Sequence, residues 1–385
     1  MSNSRNDVRV IYMTKTSSSS GTSSGKDYLT VAARVRSYKI DRQLKKDQDE
    51  FNTRLKLLLL GAAEAGKSTI FKQVRHIHKS NVFTKVELYG YRTLIYSNVV
   101  HAMSQLLWAF GKLNIITKEN SQIHKDILTF NAFRLNSCGT YTGYKLDEKI
   151  SSVIMRLWDS PEVQAVFHQR WKVSLADSTE YFMSHLERIQ QDTYCPTFED
   201  ILHSRNPTMG VKELKFRYLE VKVLIVDVGG QRSEQKKWMH LFDRVQGVLF
   251  VAALSDYDIE IADTDSPRNS EEKNKLRYSM ALFKRVIESS YFSSSVLLLF
   301  LNKQDIFEKK IEHVPLTICF PDYKNKSTYK EASQFIMDKF RVLRGQSNVI
   351  YAHISCATDT NGFELIFNTC MKKVIKANLQ TSGIY

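Results

Sequence analysis

The 385-residue sequence predicts an α/β fold, a mostly parallel sheet flanked by helices with an all-α block inserted into it. Three observations carry that expectation. Four runs, Leu219 to Val226, Val248 to Leu254, Val296 to Leu301 and Val349 to Ser355, are nearly continuously apolar, as strands covered on both faces must be. A fifth, Leu57 to Leu60, breaks into Gly61-Ala62-Ala63-Glu64-Ala65-Gly66-Lys67-Ser68-Thr69, the pattern of a strand, a phosphate loop and a helix. The next acidic strand end, Asp227, stands 160 positions beyond Lys67 (227 − 67), too far for a single crossover helix and in keeping with an insertion.

Taken in order, residues 1–27 form a Ser/Thr-rich extension of low complexity, expected to be disordered. Residues 28–53 are charged and free of Gly and Pro, with Val35, Ile40, Leu44 and Phe51 among many Lys and Arg; they read as a solvated N-terminal helix. Residues 54–80 carry the first strand, the phosphate loop and its helix. From 81 to 199 apolar residues recur at helical spacing, beginning with Leu88, Tyr91, Ile95, Val99, Met103, Leu106 and Phe110, so this block is expected to be helical. Residues 200–385 return to strands alternating with helices and complete the sheet.

Composition narrows the function. A net charge of +14 favours anionic partners, but the basic residues are spread along the chain without an aromatic-basic pattern, so nucleic acid is not expected as a partner. The five cysteines, Cys138, Cys195, Cys319, Cys356 and Cys370, form no CxxC pair and suggest reduced thiols, not a disulfide frame or a zinc site. No apolar run is long enough for a membrane-spanning helix.

The chemistry gathers at strand ends. In the phosphate loop the backbone N–H groups of Glu64, Ala65, Gly66, Lys67, Ser68 and Thr69 would surround phosphate oxygens at a helix N-terminus. Lys67 would reach the β/γ-phosphates and the Ser68 hydroxyl would hold Mg²⁺. Asp227-Val228-Gly229-Gly230-Gln231 follows another strand. There Asp227 can order Mg²⁺ through water, Gly230 can bring its N–H to a γ-phosphate, and Gln231 can orient an attacking water. Asn302-Lys303-Gln304-Asp305 follows a third strand, and the Asp305 carboxylate can accept both the N1–H and the 2-amino donors of guanine; adenine has an acceptor at N1. The pattern thus selects GTP over ATP. Ser355-Cys356-Ala357-Thr358 would complete the base pocket, with the Ala357 N–H facing the guanine oxygen.

These motifs, the insertion, and runs such as Ala253-Leu254-Ser255-Asp256-Tyr257-Asp258 and Phe300-Leu301-Asn302-Lys303 resemble the α subunits of heterotrimeric G proteins from about Val35 to Tyr385. The resemblance implies a Ras-like P-loop GTPase domain with an inserted helical domain, binding GTP and GDP with Mg²⁺. It supplies roles that spacing could not. Arg205 matches the family's built-in catalytic arginine, and Thr208 its second Mg²⁺ ligand after Ser68; both assignments come from the family and not from spacing. Glu64 matches the partner of that arginine. Leu202, His203 and Ser204 fall beside the nucleotide, Asp177 and Ser178 match helical-domain positions that close over it, and Ser233 to Trp238 match the second switch. That switch and the N-terminal helix form the family's surface for the βγ dimer, while the C-terminal segment, with Phe363, Ile366, Phe367, Cys370 and Val374 at helical spacing, resembles the helix that enters seven-helix receptors. The effector is left unidentified. The alternative is a GTP-binding scaffold that hydrolyses little and acts by holding partners.

The chain departs from the family at several points. Ser2 follows Met1 and no cysteine precedes Cys138, so the usual lipid signals are missing. A peripheral place at the cytoplasmic face of the plasma membrane, with a cytosolic share, would then depend on the basic N-terminal helix and on the βγ partner. His203 stands where an arginine is common near the ribose. Gln235 and Tyr278 replace an Arg and a Glu that pair in the GTP state, and the expectation is that Gln235 packs on Tyr278. Ala63 and Ala65 replace Gly and Ser in the phosphate loop. The Ala63 methyl is expected to crowd the groups that hydrolysis needs and to slow it.

Overall fold

The computed structural model describes residues 33, 35–45, 54–78, 83–136, 146–173, 175–261, 273–343 and 349–381. The expectation for residues 1–27 and much of that for 28–53 lie outside them. Two units are distinct, residues 1–54 and residues 55–385. In the first, residues 35–45 form helix α1, which exposes Val35, Tyr38, Ile40 and Leu44.

The second unit is built on a six-stranded sheet in the order β2-β3-β1-β4-β5-β6, comprising β1 (Leu55–Gly61), β2 (Val211–Tyr218), β3 (Val221–Val228), β4 (Gly247–Ala253), β5 (Val296–Asn302) and β6 (Ile350–Ile354). All pairings are parallel except β2 with β3. The continuous apolar runs have a simple cause. Successive side chains point to opposite faces, and each face is covered. Leu57 and Leu59 enter a core with Ile70 and Val74 of α2 (Lys67–His78) and with Phe363 and Phe367 of α14 (Thr360–Thr381). Leu58 and Leu60 enter the opposite core with Leu276 and Phe283 of α11 (Lys275–Ile287), Phe307 of α12 (Gln304–Ile311) and Phe340 of α13 (Tyr329–Val342). All four leucines are fully buried.

Between α2 and β2 run helices α3 (Lys85–Lys112), α4 (Gln122–Asn136), α5 (Glu148–Asp159), α6 (Pro161–His168), α7 (Thr179–Ser184), α8 (Leu186–Ile189) and α9 (Phe198–His203). They have a core of their own, in which Ile95, Val99, Met103 and Leu106 of α3 meet Phe130, Ile154 and Phe182. Helix α3 starts in a capping box, Thr84 with Glu87, which satisfies two of the N–H groups that a helix start leaves unpaired.

Strand β2 went unforeseen, and the run expected to begin at Leu219 begins at Val221. Leu219 occupies the β2–β3 turn with φ 51°. In β2 only Leu214, Phe216 and Tyr218 face inward; Val211, Lys212, Glu213, Lys215 and Arg217 are exposed. An antiparallel edge strand covered on one face alternates, so it lacks the continuous apolar signal of its neighbours.

Helix α9 crosses the expected boundary between residues 199 and 200. Its first turn is tied to the helical block by Asp200, fully buried, which accepts two bonds from Arg188 (2.8 and 2.7 Å) and one each from Tyr181 (2.8 Å), Tyr194 (3.0 Å) and the Thr197 N–H (2.8 Å). Burial by itself would raise this carboxyl's pKa, but these donors hold it well below the usual carboxylate range.

Candidate functional site

Parallel register brings the strand ends to one edge of the sheet. Leu59 lies opposite Asp227, Gly61 opposite Val251, and Ala253 opposite Asn302, so the phosphate loop, the Asp227 segment and the Asn302 segment open on the same side. A cavity of about 290 Å³ lies there, walled on its far side by residues of the helical block.

The phosphate loop is shaped by backbone that few residues tolerate. Gly66 has φ 106°, and a Cβ on it would fall 2.0 Å from Asn302 Nδ2. Lys67 is buried, its ammonium donating to the carbonyls of Gly61 (3.0 Å) and Ala62 (2.7 Å). Burial lowers its pKa to about 8.

Next to it, Ser68, Thr208 and Asp227 converge from α2, the segment before β2, and β3. The hydroxyls of Ser68 and Thr208 are hydrogen-bonded to each other (2.5 Å), and each lies within reach of Asp227 Oδ2, at 3.0 and 3.3 Å, so one donates to its neighbour and the other to the carboxylate. Asp227 Oδ1 is buried with no hydrogen-bond partner among the described residues, and burial raises this carboxyl's pKa. Two hydroxyls and a carboxylate oxygen lacking a donor suit a hydrated Mg²⁺, a hard ion that keeps several waters able to donate to that oxygen. Among the described residues no cluster of three His, Cys, Asp or Glu side chains competes as a metal site.

Arg205, half-exposed on the cavity wall, pairs with Glu64, which also accepts from Lys275 (3.1 Å); Lys275 in turn contacts Asp256 (3.3 Å). Burial opposes ionisation of Glu64, yet Lys275 and Arg205 together hold its carboxyl below its ordinary value. Glu64 itself has φ 64°, which turns its side chain within a tight loop.

At the other end of the cavity, buried Asn302 joins two loops. Its Nδ2 donates to Ala65 O (2.9 Å), and its Oδ1 accepts from the Ala357 N–H (2.9 Å). That N–H is therefore engaged within the protein, where the sequence aims it at the guanine oxygen; a buried side-chain oxygen needs a donor. Lys303, in the left-handed region at φ 61°, reaches across the cleft to Asp177 (2.7 Å). His203, where the family favours arginine, stacks on Tyr181 at 3.9 Å between ring centres, and burial pushes its pKa down.

Most of the residues expected at the site line this cavity: Glu64, Gly66, Lys67, Ser68 and Thr69; Asp177 and Ser178; Leu202 through Arg205 and Thr208; Val228, Gly230 and Gln231; Asn302, Lys303, Asp305 and Ala357. Four stand behind the wall. Ala65 serves Asn302, and Asp227 serves the two hydroxyls. The Gly229 carbonyl accepts from the Trp238 indole (3.0 Å), and the Gln304 N–H donates to Ser355 O (3.2 Å). The motifs did not point to Lys72, Asn98, Gln105 or Lys275, which reach the site or its wall from helices.

The segment Ser233 to Trp238, expected from the resemblance to be the second switch, overlaps α10 (Arg232–Gln235). Gln235 does pack on Tyr278: the tyrosine hydroxyl donates to Gln235 Oε1 (3.0 Å), and Gln235 Nε2 donates to Gly230 O (3.0 Å). The Arg232 guanidinium lies over the Tyr278 ring, 4.7 Å from its centre. A neutral pair assisted by a cation–π contact thus joins α10 to α11.

The family model for the G-protein alpha subunit matches residues 34–375. The chain is also 38% identical over 357 residues to the guanine nucleotide-binding protein alpha-4 subunit of Caenorhabditis briggsae, covering 92% of this chain and 97% of that one. Members of this family bind guanine nucleotides, hydrolyse GTP, and work with βγ dimers and receptors. A phosphate loop, a hydroxyl-carboxylate cluster and an Asn-Lys-Gln-Asp segment on one sheet edge, closed by an inserted helical block, agree with that match, and the chain belongs to the G-protein α-subunit family.

Proposed function

We propose that the cavity takes GTP and GDP with Mg²⁺ and that this chain hydrolyses GTP slowly as a signalling switch. The observation that carries the proposal is the meeting of Ser68, Thr208 and Asp227 beside Lys67, with one carboxylate oxygen left without a donor. In this reading Ser68 and Thr208 would hold Mg²⁺ with Asp227 behind them, and the group would supply positive charge against the phosphates. Lys67 leaves the loop carbonyls for the β/γ-phosphates. Gly230 offers its N–H to the γ-phosphate; a Cβ there would fall 2.3 Å from Lys67 Nζ and 2.8 Å from the Ala62 carbonyl, so the approach is open only to glycine. Gln231 orients the attacking water, and Arg205 exchanges Glu64 for the charge that develops on the phosphate. Asp305 reads the guanine edge, while Asp177 and Ser178 cover it from the helical block.

The Ala63 methyl, on the cavity wall, narrows the space in which Gln231 and Arg205 must meet the γ-phosphate and slows hydrolysis without preventing binding. That residue also favours the second reading, a GTP-holding scaffold. The βγ dimer is assigned to the second switch and, separately, to α1, whose apolar residues Val35, Tyr38, Ile40 and Leu44 are exposed, and the receptor to α14. A peripheral place at the cytoplasmic membrane face is assigned to α1 and to βγ.

Equilibrium binding of a fluorescent GTP analogue with and without Mg²⁺ tests the site. Mg²⁺ is expected to tighten binding about tenfold or more in the wild type, and Thr208→Ala to remove that gain while leaving Mg²⁺-free GDP binding in place. Equal affinity with and without the ion in the wild type would contradict the assignment.

A further inference from the structure

Arg205 has to do two things that pull against each other. Its guanidinium must leave Glu64 to meet the nucleotide, yet a finger whose base also wandered would arrive at no defined place. The structure resolves this at the backbone. Asn98 of α3 accepts from the Arg205 N–H with Oδ1 (2.7 Å) and donates to the Arg205 carbonyl with Nδ2 (3.2 Å). One side chain thus satisfies both main-chain groups of a residue 107 positions away, much as a neighbouring strand would. Only a side-chain amide offers an acceptor and a donor side by side in this way.

Asn98, half-buried, stands on a helix whose neighbouring residues are buried. It follows Ile95, Tyr96 and Ser97 and precedes Val99, all buried in the helical core. The preceding residue of the arginine segment is held from the other side. The half-buried Lys72, on α2 behind the phosphate loop, donates through its ammonium to the carbonyls of Ser204 (2.9 Å) and Ile201 (2.7 Å). Two consecutive residues are therefore gripped from two elements, one belonging to the helical block and one to the phosphate-loop helix. The side chain of Arg205, half-exposed, stays free to exchange partners.

We infer that Asn98 is a positioning residue for hydrolysis: it fixes the pivot of Arg205 and makes the placement of the arginine depend on the helical block. This rests on the assignment of Arg205 to the γ-phosphate. Asn98 touches neither nucleotide nor water in this account; it acts only through Arg205.

That last point supplies the test. Single-turnover GTP hydrolysis is compared in the wild type, Asn98→Ala, Arg205→Ala and the double variant, alongside GDP dissociation and melting temperature. Displacement of a catalytic group by an ångström can cost about 10²-fold, so N98A is expected to slow hydrolysis about tenfold or more, a larger factor than its change in GDP dissociation. In the R205A background N98A should change the rate by less than about twofold, because effects that share one route do not add. Asn98→Gln, which keeps the amide one methylene too far out, is expected to be slowed with the fold intact, and it carries the test should N98A fail to fold. If R205A is slow and the folded Asn98 variants hydrolyse at the wild-type rate, or if N98A slows R205A as much as it slows the wild type, the positioning role is wrong and the arginine assignment stands. If R205A hydrolyses at the wild-type rate, the arginine assignment falls and the role of Asn98 with it.

Discussion

At the scale of single residues most charges of the site are paired, Arg205 with Glu64 and Lys303 with Asp177, whereas the Lys67 ammonium is hydrogen-bonded only to carbonyls. Lys67 is buried with only carbonyl oxygens to meet its ammonium, and its pKa falls to about 8. A phosphate chain favours the charged form, so GDP affinity is at full strength below that pH and weakens as pH rises through it. Binding should therefore take up protons on the alkaline side. Calorimetry of GDP binding at about pH 8.5, in two buffers of different ionisation enthalpy, should report a net uptake of a sizeable fraction of one proton; no uptake there would contradict the environment assigned to Lys67. Gly61, Gly66, Lys67 and Ser68 were legible in the sequence because their relation is set within one short loop. Asn98 and Lys275 were not, since nothing local distinguishes them. Their roles arise when α3 and α11 are packed against the cleft.

At the scale of elements, the contact between α10 and α11 is the clearest departure that the chain makes. An ion pair common in the family is replaced by Tyr278, Gln235 and the Gly230 carbonyl, with Arg232 lying on the tyrosine ring. The substitutions at 235 and 278 were readable as a pair, and so was their mutual contact; the part of Arg232 was not, because a cation over a ring leaves no spacing signature. Tyr278→Phe keeps the ring beneath Arg232 and removes the hydroxyl donor. A single hydrogen bond of this kind contributes about 1 kcal/mol, so tryptic cleavage after Arg232 or Lys236 in the GTP-analogue state should quicken about fivefold. Cleavage at the wild-type rate would show that the hydroxyl does not hold the switch. Strand β2 marks the opposite limit of legibility. Its solvated face carries Glu213, Lys215 and Arg217, and Lys212 on the other face is also exposed; these charges break the apolar run by which its neighbours were found.

At the scale of the whole molecule, the parallel sheet and the inserted block were legible for one reason: two-sided burial and helical periodicity both leave long-range signals in composition. What the sequence could not express is how the block meets the sheet. That seam depends on tertiary contacts, among them Lys303 with Asp177, His203 of α9 on Tyr181, and Asn98 on Arg205. The seam closes over a loop that keeps Gly61, Gly66, Lys67 and Ser68 and departs from the family at Ala63 and Ala65, of which Ala63 is the one assigned to the place of hydrolysis. The central claim is that this chain is a complete but slowed GTPase. Single-turnover hydrolysis with Mg²⁺ in the wild type and in Ala63→Gly tests it most directly. The account predicts measurable hydrolysis in the wild type and a rate about tenfold or more higher in A63G, a barrier lower by about 1.4 kcal/mol or more. No hydrolysis in either protein, or equal rates in both, would contradict it.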